Sequence, residues 1–171
     1  MYICNVWEYL ENVKNDFGDK VAFEDKERSI TFADLCDKAK RIGNYISNIL
    51  HGEINQSIAV YMPKGVDAVC CFFGIVYSGN YYTPLDYDSP IERLASICQV
   101  LQPAAIIYNA ENKFFETNGY RILFEKCEAY QSDPLISPWK KVLDIDPLYV
   151  LFTSGSTGIP KGVYNQSQKC D

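Results

Sequence analysis

Apolar side chains in the first fifty residues recur at steps of three and four. Val6, Tyr9, Leu10 and Val13 form one such series, and Leu35, Ala39, Ile42, Ile46 and Ile49 form another. That spacing lines one face of a helix in each stretch. Asn5 stands three residues before Glu8, and Thr31 three before Asp34, so each helix carries a capping signal at its start. His51-Gly52 closes the second, where an imidazole suits the helix C-terminus. Between the two helices, Val21-Ala22-Phe23 and Ile30-Thr31-Phe32 flank the polar stretch 24–29, the pattern of a hairpin with a charged turn.

From Ser57 the rhythm changes. Ile58-Ala59-Val60-Tyr61-Met62 reads as a buried strand stopped by Pro63, 66–78 as a helix packed on it, and Gly79-Asn80 as that helix's end. Residues 81–85 are extended, and Pro84 among them argues for an edge or a strand end. Ser89-Pro90-Ile91-Glu92 opens another helix, with Ser89 as the capping hydroxyl and Pro90 at the first helical position. Ile91, Leu94, Cys98 and Leu101 form its buried face. Residues 104–108, 120–124 and 148–152 are further apolar strands, and 125–146, with Pro134 and Pro138, reads as a long connection. Strands alternating with helices predict an α/β fold with a mostly parallel sheet and flanking helices.

Composition narrows what this fold can do. The chain has 171 residues, 47% hydrophobic and 22% charged, enough for an ordinary core. Its net charge of −6 offers no general field for a polyanion, so nucleic acid is not the expected partner. The thirteen tyrosines lack interleaved basic residues and read as packing groups. Seven cysteines without a CxxC pair, and a single histidine, His51, predict neither a zinc site nor a redox motif. They read as small buried hydrophobes of a cytoplasmic protein. The start of the sequence has no basic region followed by an apolar stretch, and the longest apolar run, 68–77, is half the ~20 residues a membrane span needs. Asp86 and Asp88 could be a carboxylate pair, but a turn before a capped helix accounts for them better.

Candidate chemistry is concentrated after the strand 148–152. Thr153, Ser154, Gly155, Ser156, Thr157 and Gly158 follow it without a break, and Pro160-Lys161-Gly162 comes next. Glycines let backbone N–H groups converge, hydroxyls add donors and Lys161 adds positive charge, which together describe a phosphate cradle at the end of a strand. A flexible Ser/Gly linker is the plainer alternative, but linkers do not usually grow from an apolar strand or end in a stiffening Pro-Lys-Gly. Nor is this a Walker loop, because Ile159-Pro160 separates Gly158 from Lys161.

The segment 148–163 resembles the phosphate-loop signature of the adenylate-forming enzymes, the superfamily of acyl-CoA synthetases, luciferases and peptide-synthetase adenylation domains. Ser29-Ile30-Thr31-Phe32-Ala33-Asp34-Leu35 is similar to an earlier block of that family. Gly79-Asn80-Tyr81-Tyr82-Thr83-Pro84-Leu85-Asp86, with Pro90-Ile91-Glu92-Arg93-Leu94, is similar to a second block, in the form most like amino-acid-activating adenylation domains and D-alanine–carrier-protein ligases. The resemblance implies a partial, N-terminal adenylation-domain fold over 1–163. It implies ATP and Mg2+ as cofactors and a small carboxylic or amino acid as substrate. The acyl acceptor it implies is a phosphopantetheine or CoA thiol, with a carrier protein as a possible partner. Thr153, Ser154, Gly155, Ser156, Thr157, Gly158 and Lys161 would then hold the ATP phosphates, Thr153 and Thr157 first among them.

The family's adenine, ribose, acid-pocket and catalytic-lysine segments have no counterpart here, so no catalytic residue is assigned. Residues 164–171 form a polar tail that departs from the family pattern, with Ser167 where a histidine is expected, as truncation would produce. Two readings follow. One is the N-terminal part of an ATP-dependent carboxylate-activating ligase, active only with a C-terminal remainder. The other is a non-catalytic remnant that at most binds phosphate or a partner chain. Either way, apolar faces near Leu148 and on the helix from Val66 are expected to be left uncovered.

Overall fold

The computed structural model describes residues 6–110, 115–131, 138–143, 145–153 and 160–166. The chain opens with α1 (Val6–Phe17) and a two-stranded antiparallel hairpin, β1 (Val21–Glu24) and β2 (Ser29–Thr31). α2 (Phe32–Ile49) follows without a linker, because Thr31 is both the last residue of β2 and the N-cap. Its Oγ1 accepts the Asp34 N–H at 3.1 Å and donates to Asp34 Oδ2 at 2.8 Å. Alternation then begins: β3 (Ser57–Tyr61), α3 (Val66–Tyr77), β4 (Tyr81–Leu85), α4 (Ile91–Leu101), β5 (Ala105–Tyr108) and β6 (Tyr120–Leu123). α5 (Phe124–Glu128) and a 3-10 turn (Pro138–Lys141) break up the expected long connection, and β7 (Pro147–Thr153) and β8 (Lys161–Gln166) complete the order. β8 thus runs into the segment set apart by its polar composition.

The six-stranded sheet has the order β6-β5-β3-β4-β7-β8, parallel except for β8, which runs antiparallel to β7. β3 is central and buried along its whole length. Its alternate side chains feed two cores: Ile58 and Val60 join α1, α2, α3 and α5 on one face, while Ala59 and Tyr61 join Leu94, Ile97 and Cys98 of α4 on the other.

Helices α2 and α3 approach so closely that a glycine is needed on each. A Cβ at Gly43 would lie 2.6 Å from Gly74 O, and one at Gly74 would lie 2.6 Å from Ile42 Cγ2. A charged network spans the same helices, with Asp67 of α3 paired to Arg28 and Lys38, and Lys38 paired in turn to Glu128 of α5.

The structure refines the sequence pattern in three places. Of the two positions Pro84 allowed, the structure has the strand end: β4 lies inside the sheet with Pro84 as its penultimate residue, accommodated because β7 pairs with β4 at one position only, Tyr82↔Tyr149, before the proline is reached. Ser89 does not cap α4. Pro90 occupies that position, and the Ser89 hydroxyl turns back toward Asp86 Oδ2 at 3.4 Å. The helix from Val66 is mostly buried, since α1 and α2 cover it, and only Val69, Phe72 and Phe73 remain half-buried along an apolar cavity of about 210 Å³ closed by Phe23, Tyr82 and Leu148. Uncovered apolar surface is found on the strand at Leu148, as expected, and on its partner β8: Leu151, Val163 and Tyr164 are 42%, 51% and 61% exposed.

Candidate functional site

In an open, mostly parallel sheet, ligands are taken up beyond the carboxyl ends of the strands. Two junctions on that edge could receive an anion: the β3–α3 turn, where a helix N-terminus begins, and the mouth of the β7–β8 hairpin.

The first is already filled by the chain itself. Asp25, in the turn of the β1–β2 hairpin, accepts the Val66 N–H on Oδ2 at 2.9 Å, so its carboxylate sits on the first free donor of α3. Its other oxygen accepts the N–H groups of Glu27 and Arg28 at 2.9 and 3.0 Å. These three backbone donors, Val66 foremost, hold the Asp25 carboxyl below the usual carboxylate range. A Cβ at Gly65 would meet Asp25 Oδ2 at 2.8 Å, so the junction is closed sterically as well. A phosphate arriving there would have to displace a fixed carboxylate.

The second junction is built differently. β7 and β8 are in register from Val150↔Tyr164 to Thr153↔Lys161, which puts Thr153 and Lys161 opposite each other at the mouth. Directly opposed residues of an antiparallel pair share a face, so the Thr153 hydroxyl and the Lys161 stem project to the same side, together with Leu151 and Val163. Both Thr153 and Lys161 are exposed, and no ion pair among the described residues engages Lys161. The opposite face of the hairpin is anchored: Val150 is buried, Phe152 packs against the α4 cluster, and Pro160 is buried at the entry to β8. Ser154, Gly155, Ser156, Thr157 and Gly158 lie outside the described residues. Of the seven expected phosphate-binding positions, the described residues therefore include Thr153 and Lys161 and pair them.

Other candidate groups lie on other elements. Asp86 and Asp88 flank a turn between β4 and α4, and among the described residues no group of three His, Cys, Asp or Glu side chains is arranged to hold a metal. His51 follows the end of α2 with φ 53°. Burial pushes the thiols of Cys36 and Cys98 up to about 11 and those of Cys70 and Cys127 up to about 12, so none is a ready nucleophile. Asp25 was not legible as a helix cap. The Asx turn it makes with Glu27 and Arg28 is a local signal, but its decisive partner, Val66, lies 41 residues away.

A family model described as AMP-binding enzyme matches residues 10–169. The chain belongs to the AMP-binding enzyme family. Among curated relatives it is 37% identical over 156 residues to an anguibactin system regulator of Vibrio anguillarum, covering 91% of this chain and 15% of that protein. To the D-alanine–D-alanyl carrier protein ligase of Lacticaseibacillus casei it is 32% identical, covering 94% of this chain and 32% of the ligase. Its fold matches the NpsA N-terminal subdomain of Klebsiella oxytoca in complex with 3-hydroxybenzoyl-AMSN, with a TM-score of 0.80 at 18% identity over 96% of this chain and 41% of that one. The nonribosomal peptide synthetase FmoA3 gives a TM-score of 0.81 at 22% identity, over 95% of this chain and 17% of that one. The chain thus corresponds to an N-terminal portion of the adenylate-forming ligase fold, and it spans a third or less of the length of these curated relatives. No helix among its described residues is long and apolar enough to cross a membrane.

Proposed function

We propose that this chain supplies the triphosphate-holding part of an ATP-dependent carboxylate-activating ligase, with Thr153, Ser154, Gly155, Ser156, Thr157, Gly158 and Lys161 as the residues that hold ATP. The observation that carries this reading is the pairing of Thr153 with Lys161 across the mouth of a hairpin whose connecting segment begins with five residues that are all Ser, Thr or Gly. The donor set suits the group. Hydroxyls and backbone N–H groups accept no protons from phosphate and present hydrogens to it, and an ammonium on the same face adds charge. As pyrophosphate leaves an acid-activated ATP, negative charge grows on the β- and γ-phosphates, and preorganised donors of this kind stabilise it.

Mg2+ would arrive with the nucleotide, bound chiefly by phosphate oxygens, and would neutralise part of that charge. The likeness to carrier-protein ligases and peptide synthetases favours an amino acid as the activated substrate and a pantetheine thiol on a carrier protein as the acceptor, with CoA as the alternative. Such a protein works in the cytoplasm. The alternative reading is a non-catalytic remnant that at most binds phosphate or a partner chain.

Phosphorus NMR of Mg-ATP titrated with the 171-residue chain tests the shared core of both readings. Broadening of the β and γ resonances that is lost in Lys161→Ala supports it; unchanged spectra up to millimolar protein contradict it. Pyrophosphate exchange dependent on an added amino acid and on the rest of an adenylation domain then separates ligase from remnant.

A further inference from the structure

Resting on that reading, the geometry points to a pair of positioning residues that hold the candidate site in register. We propose that Phe152 and Gly162 act together as a register pin, and that their complementarity keeps Thr153 opposite Lys161 across the loop mouth.

The two residues are direct cross-strand partners, one step inside the Thr153↔Lys161 pair. A Cβ built on Gly162 would lie 3.2 Å from Phe152 Cζ, 3.5 Å from Cε1 and 3.1 Å from Val150 Cγ1, so the ring of Phe152 lies over the glycine and occupies the space a side chain would take. A glycine inside a strand is normally a weak point, with no side chain to fix which residue opposes it. Covering it with a cross-strand aromatic removes that weakness and ties the two strands to one alignment. Phe152 packs in turn against the buried cluster that Leu85 of β4 forms with residues of β3, β5 and α4, so the alignment of β8 is referred through one ring to the body of the sheet.

Register matters here because the period of a strand is two. A slip of one residue would carry Lys161 to the α4 face and leave Thr153 facing a different residue, separating the hydroxyl from the ammonium. No second strand ladder prevents this, since β8 is the last strand of the sheet order and pairs only with β7 among the described residues; beyond β7 its Tyr164 ring meets Tyr81 of β4. Neither Phe152 nor Gly162 need touch a phosphate, so both are positioning residues.

A double-mutant cycle on the full 171-residue chain tests the pin, with Gly162→Ala, Phe152→Leu and the double variant compared with wild type. Two readouts are used: NOEs across the Thr153–Lys161 pair, which need no ligand, and titration with inorganic tripolyphosphate. In each single variant the cross-strand NOEs should weaken and tripolyphosphate affinity should fall about fivefold, the first by crowding and the second by an empty space over the glycine. The double variant, with an alanine under a leucine, should recover both. If either single variant keeps wild-type NOEs, or if the double variant is no better than the worse single, the pin is overturned. If wild type itself fails to bind tripolyphosphate while the NOEs follow the cycle, the register pin stands and the phosphate reading fails.

Discussion

Two junctions on the carboxyl edge of the sheet, β3–α3 and β7–β8, solve opposite problems with similar material. At β3–α3, a hairpin turn from elsewhere in the chain delivers Asp25 to the helix N-terminus, and three backbone donors converge on one carboxylate. At β7–β8, the strands bring a hydroxyl and an ammonium to an open mouth and no carboxylate is seen to meet them among the described residues. A helix N-terminus is the usual place to look for a phosphate in an α/β sheet. Here the fold uses that position to close itself, and in the function proposed above anion binding falls to a hairpin. The dipole that could bind a ligand is used for stability, and the ligand is offered groups that belong to no other partner.

The largest test of this division is catalytic. The 171-residue chain alone should show no amino-acid-dependent pyrophosphate exchange, because nothing holds the acid against the α-phosphate, and positioning alone is worth ~7–11 kcal/mol of barrier. That is at least about five orders of magnitude in rate. When the rest of an adenylation domain restores activity, Thr153→Ala and Lys161→Ala should reduce it and Asp25→Asn should leave ATP affinity unchanged. Loss of ATP affinity in a folded Asp25→Asn chain would move the site to the β3–α3 junction and break the comparison.

The closed side should also be the less forgiving in stability. Gly74→Ala forces a methyl to 2.6 Å from Ile42 and 3.1 Å from the Ala39 carbonyl, and we expect a loss of about 1–3 kcal/mol in denaturant unfolding. An effect below 0.5 kcal/mol would mean that the α2–α3 contact is looser than its geometry.

Asp25 makes a third difference, read against pH. Its carboxyl titrates below the ordinary 3.8 in the folded chain, so the stability it adds is complete above about pH 4 and is lost as pH falls through the folded value. Melting temperatures of wild type and Asp25→Asn should therefore differ above pH 5 and converge toward pH 2. A constant gap across that range would show that the lost hydrogen-bond geometry, not the charge, is what matters.

The smallest effect separates two apparent helix caps. Thr31→Ala removes a bonded N-cap and should cost about 1 kcal/mol, whereas Ser89→Ala removes a hydroxyl that caps nothing and should stay within about 0.5 kcal/mol. Equal losses would restore Ser89 as a cap.

That last pair shows what the sequence could and could not convey. Local signals were reliable where the partner was local: the α2 apolar stripe, the Thr31–Asp34 box, and the strand at Ile58 to Tyr61, apolar because both its faces are covered. Signals ran out where the partner lay far along the chain. Pro84 fits an edge or a strand end until β7, more than sixty positions later, is seen to pair with β4 at Tyr82 alone. Asp25 looks like a turn residue until Val66 arrives. The phosphate segment was legible as chemistry from its composition and its resemblance, but the alignment that faces Thr153 toward Lys161 depends on which residues oppose each other, and no single strand records that.

The single β4–β7 register position has a consequence for how the molecule comes apart. β3, β4 and β5 are joined through full-length ladders and crossover helices, whereas the final hairpin shares one register position with β4, Tyr82↔Tyr149, and is otherwise attached through side chains: the stacked rings of those two tyrosines 5.6 Å apart, Tyr81 against Tyr164, Leu148 and Phe152. Amide protons of β7 and β8 should therefore exchange through a sub-global opening that leaves β3 protected, which makes the hairpin a separate cooperative unit that docks last and detaches first.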